Sequence, residues 1–235
     1  MSNYPKNYIG EDLMPDHIGE THVPCVLLLD ASKSMEGNPI RELNKGLQKF
    51  DEALREDHLA LGRAEVNVIV FNSEVHEVTH FMPASKFESP VLTAGGCTSM
   101  NEAIIKGLQV LEQRKDVYYS YGIDYYRPWM FLLTDGYATD PELEDEAIKT
   151  LRDYQTGKKV TFFPMGIGDK ADFGKLSEYT ADGTGLVFKA EKDNFASCFV
   201  WLSKSIRAIA HSDHNQDVPL PPVPREIQAI NVNAG

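Results

Sequence analysis

Five residues carry the chemistry that stands out in this sequence. Asp30, Ser32 and Ser34 alternate in Asp30-Ala31-Ser32-Lys33-Ser34. Thr98 closes Gly95-Gly96-Cys97-Thr98, and Asp135 lies within Thr134-Asp135-Gly136. Together they offer two carboxylates and three hydroxyls, with no thiolate or imidazole required. Hard oxygen donors of this kind suit Mg²⁺ or Mn²⁺, with Ca²⁺ a further candidate, better than zinc or copper. Magnesium prefers six oxygens but keeps several waters, so such a set leaves room for an outside ligand. Taken singly, each residue has an ordinary explanation. Asp30 could cap a loop, Ser32 and Ser34 are turn residues, Thr98 could cap a helix, and Asp-Gly is a common turn. Only their joint occurrence argues for a metal.

These residues must be positioned by the elements around them. Val23–Leu29 (VPCVLLL), Val66–Phe71 (VNVIVF) and Trp129–Leu133 (WMFLL) are continuous apolar runs, which predict strands covered on both faces. Val75–Phe81 (VHEVTHF) alternates, and only Asn72-Ser73-Glu74 separates it from the preceding run, so the two should form an antiparallel hairpin. Val160–Ile167 and the short Leu186–Lys189 give two more strands. Pro39 suits a first helical turn, and Ile40, Leu43, Leu47, Phe50 and Leu54 then mark one apolar helix stripe. A helix is expected from Ser99 to Arg114. Another should open at Asp140-Pro141, a short one should carry Leu176, and a last one runs through Phe195, Phe199, Leu202, Ile206 and Ile209.

Strands alternating with helices predict an α/β, doubly wound, mostly parallel sheet. Ligands of such sheets bind beyond the carboxyl ends of the strands, where the winding reverses. Asp30 and Asp135 each follow a strand directly, so the three segments should gather at one edge if those strands are neighbours. Residues 1–20 read as a polar N-terminal arm and 21–210 as the domain. Residues 211–235 read as a proline-rich tail, with Pro219, Pro221, Pro222 and Pro224 ruling out continued helix.

The segments Asp30-x-Ser32-x-Ser34, Thr98 and Asp135 resemble the metal-ion-dependent adhesion site (MIDAS) of von Willebrand factor type A (VWA) domains. The similarity extends over about residues 20–210: apolar strand, helix, hairpin, GG-x-T, LLTDG and the later MGIGDKADFGKL occur in the family's order. What it implies is a three-layer, Rossmann-like fold with strand order 3-2-1-4-5-6 and strand 3 antiparallel. It also implies that Ser32 and Ser34 coordinate directly with Asp30 in the core of the site. Thr98 and Asp135 would bind directly or through water, and a partner's Asp or Glu carboxylate would complete the shell. Many members carry Gly where Ala31 and Lys33 stand. Lys33 therefore places a cation beside the site that bears on partner choice. VPCVLLLDASKSMEGNPIRELNKGL, Phe71-Asn72, YYRPWMFLLTDG and MGIGDKADFGKL further resemble a bacterial cytoplasmic branch associated with tellurium resistance and stress response. That likeness implies assembly with kinase or phosphatase proteins.

Other residues invite chemistry less strongly. His76 and His80 share a strand face at i, i+4, where a solvated face is the simpler reading. Cys97 adjoins Thr98 but has no basic neighbour in sequence, so a buried, inert thiol is expected. Residues 117–126 (VYYSYGIDYY) hold five of the ten tyrosines, which makes them either a packed loop or a protein contact at the end opposite the five oxygen residues. Catalytic motifs are absent: there is no G-x-S-x-G, no phosphate loop and no H-E-x-x-H. The expectation is a non-enzyme. Two alternatives stay open, a phosphatase-like metal hydrolase and a scaffold with an empty site.

The 235-residue composition narrows the partners. A net charge of -12 repels nucleic-acid phosphates and anionic headgroups. No apolar run reaches the ~18 residues of a membrane helix. The N-terminus lacks a signal-peptide pattern, and three dispersed cysteines suit a reducing cytosol, so a cytoplasmic location is expected.

Overall fold

The computed structural model describes residues 19–181, 186–192, 195–212 and 221–231. All but the last two residues of the expected N-terminal arm lie outside this set, as do 213–220 and 232–235 of the tail. Among the described residues seven strands make one sheet: β1 (Val23–Asp30), β2 (Ala64–Phe71), β3 (Val75–Pro83), β4 (Trp129–Thr134), β5 (Thr161–Ile167), β6 (Leu186–Ala190) and β7 (Ile227–Asn231). Their spatial order is β3-β2-β1-β4-β5-β6-β7. β3 and β7 run antiparallel to their neighbours, and the remaining pairs are parallel. The expected order 3-2-1-4-5-6 is therefore present, with a seventh strand added at one edge.

That seventh strand corrects the sequence reading of 211–235 as a tail. Ile227 to Asn231 pair residue for residue with Ala190 to Leu186, Ile227 is buried, and the Trp201 indole donates to the Pro221 carbonyl at 3.0 Å. The last helix stops at Ala210, ahead of the prolines as expected, and the chain later returns to the sheet.

Among the described residues six α-helices cover the two faces: α1 (Asn38–Arg55), α2 (His58–Arg63), α3 (Met100–Tyr121), α4 (Glu144–Thr156), α5 (Phe173–Glu178) and α6 (Ala196–Ala210). Side chains of β1 alternate between the layers. Cys25, Leu27 and Leu29 pack into the core beneath α1 and α6, while Val26 and Leu28 pack into the core beneath α3 and α4. A strand buried on both sides must be apolar throughout, and for this reason β1, β2 and β4 read as unbroken apolar runs.

α3 outruns its predicted end at Arg114 by two turns and stops where Gly122 adopts a left-handed conformation. Those turns are held by a buried charge cluster. Arg114 Nε donates to Glu65 Oε2 at 2.5 Å, a second guanidinium nitrogen meets Oε1, and the Tyr118 hydroxyl donates to Oε2. His22 Nδ1 lies 3.2 Å from Glu65 Oε1, although neither ring nitrogen reaches hydrogen-bond geometry. Burial raises the Glu65 carboxyl, but the His22, Arg114 and Tyr118 contacts outweigh it and hold it below the ordinary range. The tyrosine-rich segment thus splits. Tyr118 and Tyr126 are buried, whereas Tyr119 is almost fully exposed.

Candidate metal centre

β1 and β4 are adjacent and parallel, with Leu29 opposite Leu133. Asp30 and Thr134 consequently end neighbouring strands side by side, and Asp135 follows at the same edge. The Asp30 carboxylate is fully buried and engaged at both oxygens. Its Oδ1 accepts the Ser32 backbone N–H at 2.8 Å, and its Oδ2 accepts the Thr134 hydroxyl at 2.5 Å. Ser32 Oγ lies 2.9 Å from Ser34 Oγ, and the Ser34 hydroxyl donates to Asp135 Oδ1 at 2.5 Å. A single chain of contacts runs Asp30–Ser32–Ser34–Asp135. After Asp30 the strand gives way to a 3-10 turn at Lys33–Met35, in which Lys33 and Ser34 are exposed.

Thr98 reaches the site from the loop before α3. That loop is stitched to its neighbours: Gly95 N–H donates to Ala31 O at 2.9 Å, Lys33 N–H to Gly96 O at 3.0 Å, and Ser99 N–H to Asn72 O at 2.8 Å. Gly96 is required here. Its φ is +80°, and a Cβ would stand 2.5 Å from Ser73 Oγ and 3.1 Å from the Ser73 backbone nitrogen. Thr98 is also clasped to Thr139, each donating its backbone N–H to the other residue, at 2.9 Å in both directions. Gly136 marks the convergence, since a Cβ there would sit 3.6 Å from Ser34 Oγ and 3.9 Å from Thr98 Oγ1. All five predicted residues are thus brought to one edge of the sheet.

Burying a carboxylate is costly, and here the cost falls on Asp30. Burial pushes its carboxyl from an ordinary 3.8 up to about 6; the Ser32 and Thr134 hydrogen bonds pull it down, and the nearby Asp135 charge adds to the rise. Among the described residues no group of three or more His, Cys, Asp or Glu is placed to hold a metal ion. Asp30, Asp135, Ser32, Ser34 and Thr98 all present oxygen, a donor set that would suit a hard divalent cation.

Thr134 is the site residue that sequence reasoning missed, because a threonine ending a buried strand has no signal of its own. Asp140 is a second surprise. Its side chain does not cap the turn that follows; Oδ2 accepts the Glu102 N–H at 2.9 Å and Oδ1 the Asn101 amide at 3.1 Å, clamping the start of α3. Cys97 corrects an expectation outright. It is exposed, on a loop whose Cys97 N–H donates to Ser73 Oγ, while Cys25 and Cys198 are buried. His76 and His80 are solvent-exposed beside Glu74 and Glu77, as expected of a solvated strand face.

The family profile of the von Willebrand factor type A domain matches residues 25–199. The chain belongs to this family. VWA domains are protein-interaction and adhesion modules. Mouse inter-alpha-trypsin inhibitor heavy chain H3 is 23% identical over 185 residues, covering 73% of this chain and 19% of that protein. The bovine heavy chain H1 is 20% identical over 200 residues, covering 81% and 21%. The chain therefore spans about a fifth of the length of these curated relatives. Among solved structures, a von Willebrand factor type A protein from Catenulispora acidiphila superposes with a TM-score of 0.62 at 16% identity, over 80% of this chain and 43% of that one. The pilus adhesin SpaC of Lactobacillus rhamnosus GG gives 0.60 at 15%, over 81% and 31%. The vWF domain of the pilus tip protein Mfa5 of Porphyromonas gingivalis gives 0.58 at 12%, over 84% and 99%. At such identities these structures are similar to the chain in fold alone. Among the described residues no helix is long and apolar enough to cross a membrane.

Proposed function

We propose that this VWA domain is a non-catalytic, Mg²⁺-dependent binding module that captures an Asp or Glu carboxylate of a partner protein. The observation that carries the reading is the Asp30–Ser32–Ser34–Asp135 chain, with Thr98 beside it, at the carboxyl edge of β1 and β4. Ser32, Ser34 and Thr98 would hold the cation through neutral hydroxyls, with Asp30 and Asp135 as the two negatively charged ligands. A bound divalent cation would supply an electrophilic position open to an outside carboxylate. Thr134 keeps Asp30 turned toward the serines. Exposed Lys33 borders the site and favours an acidic approach, which the overall charge of -12 would otherwise oppose.

The partners this reading favours are kinase or phosphatase proteins of a tellurium-resistance or stress-response system, met in the cytoplasm. Its support is the sequence resemblance of the DASKS, YYRPWMFLLTDG and MGIGDKADFGKL segments. Purified candidate partners should bind wild-type protein in Mg²⁺ or Mn²⁺, and lose binding with chelator or with Asp30→Ala. Replacing the partner's acidic residue by its amide should remove the metal-dependent part. Binding indifferent to chelator and to Asp30→Ala would favour a scaffold with an idle site. Metal-dependent phosphate release that vanishes in Asp30→Ala would favour a hydrolase.

A further inference from the structure

We propose that Lys192 is a tethered counter-ion of this site, holding Asp135 in the metal-free protein and thereby setting how tightly a divalent cation binds. The inference rests on the metal-binding reading. The Asp135 side chain is only 4% exposed, and its two oxygens are treated differently. Oδ1 accepts the Ser34 hydroxyl at 2.5 Å, while Oδ2 faces the Lys192 ammonium at 3.7 Å. A carboxylate this deeply placed needs compensating positive charge, and Lys192 provides it from outside the family's oxygen set.

The backbone makes room for this lysine. Lys192 follows β6, and its aliphatic stem crosses Gly168, which follows β5. Gly168 has φ +70°, and a Cβ there would stand 3.3 Å from Lys192 Cβ and 3.6 Å from Cδ. Any side chain at 168 would lift the stem away from Asp135. Lys192 and Asp135 share the wall of a cleft of about 590 Å³, together with Lys170 and Glu191. The Lys192 side chain is about half exposed, so its head can leave Asp135 and swing into that cleft.

The consequence is competition. A dication approaching Ser34 and Asp135 meets an ammonium already there, and two positive groups cannot share Asp135 without repulsion. With Asp30 and Asp135 ionised, the site holds two negative charges and Lys192 cancels one of them. Removing Lys192 restores the full attraction. An ion pair whose cationic partner is half exposed and 3.7 Å away is modest in strength, so the gain in Mg²⁺ affinity should be about threefold to tenfold rather than larger.

The test is calorimetric titration of Mg²⁺ into the chelator-stripped full chain at low ionic strength. Wild type, Lys192→Met, Lys192→Gln and Lys192→Arg are compared, with Lys170→Met as control because Lys170 lines the same cleft. Lys192→Met and Lys192→Gln should bind Mg²⁺ about threefold to tenfold more tightly, and high salt should shrink the difference. Lys192→Arg and Lys170→Met should stay within about twofold of wild type. Equal or weaker binding by both neutral variants, with wild type binding normally, overturns the role of Lys192 and leaves the metal reading standing. Absence of Mg²⁺ binding in wild type and all variants overturns both. Binding by the neutral variants with none detectable in wild type would support both in the strongest form.

Discussion

Replacing Asp30 by Asn should stabilise the metal-free protein while destroying its capacity for metal. Burial holds the Asp30 carboxyl at about 6 against an ordinary 3.8. At 1.36 kcal/mol per unit, keeping it ionised in the fold at pH 7 costs about 3 kcal/mol. The sign follows from the direction of the shift. A carboxyl raised on folding penalises the native state above about pH 6, and the penalty fades as pH falls through 6 toward 3.8. In Asp30→Asn the amide carbonyl would still accept the Ser32 N–H, but the amide nitrogen would oblige the Thr134 hydroxyl to turn and accept. That rearrangement returns part of the gain, leaving about 1–3 kcal/mol, or roughly 3–10 °C in Tm for a domain of this size. Urea unfolding in chelator at pH 7 and pH 4.5 measures it. Asp30→Asn should be the more stable protein at pH 7, with the gap largely closed at pH 4.5. Saturating Mg²⁺ should then raise wild type and leave the variant unchanged. A variant less stable than wild type at pH 7 in chelator, or a gap that does not narrow in acid, would refute the reasoning.

Other consequences are simpler to measure. Thr134→Val should weaken Mg²⁺ binding about tenfold in titration while the fold persists, since the Asp30 carboxylate loses the donor that orients it. Arg114→Met leaves Glu65 buried without its guanidinium and should cost about 3–5 kcal/mol in denaturant unfolding, whereas exposed Tyr119→Ala should stay within about 0.5 kcal/mol. Native protein should show one thiol reactive toward an aromatic disulfide reagent, assigned to Cys97 by its loss in Cys97→Ser. Truncation after Ser212 should lower the unfolding midpoint, because β6 loses its partner β7 and Trp201 its acceptor.

How far the sequence could be read follows from where each contact partner lies. β1, β2 and β4 are central and covered on both faces, so each reads as an apolar run without reference to anything distant. The five oxygen residues were legible because three short segments each end a strand or precede a helix, and parallel β1–β4 pairing brings them together. β7 was not legible. IQAIN is short, follows a run of prolines, and owes its conformation to β6, a strand well back along the chain. The last turns of α3 were lost for the same reason, since Tyr118 and Arg114 are held by Glu65, separated by 53 and 49 residues. Cys97 is exposed in a loop held by hydrogen bonds to Ser73, Ala31, Lys33 and Asn72, and hydrophobicity carries no trace of such contacts. Thr134 gained its role only from the strand register that sets it beside Asp30.

Bound Mn²⁺ offers the most direct test of the central claim, because the relaxation of water protons reports both its binding and the waters it keeps. Titrated into chelator-stripped wild-type protein, Mn²⁺ should occupy one site with enhanced relaxation. Asp30→Ala, folded by circular dichroism, should show none. An acidic partner should then lower the enhancement by displacing a coordinated water, and its amide variant should not. No saturable Mn²⁺ site in wild type, or an unchanged site in Asp30→Ala, would contradict the account.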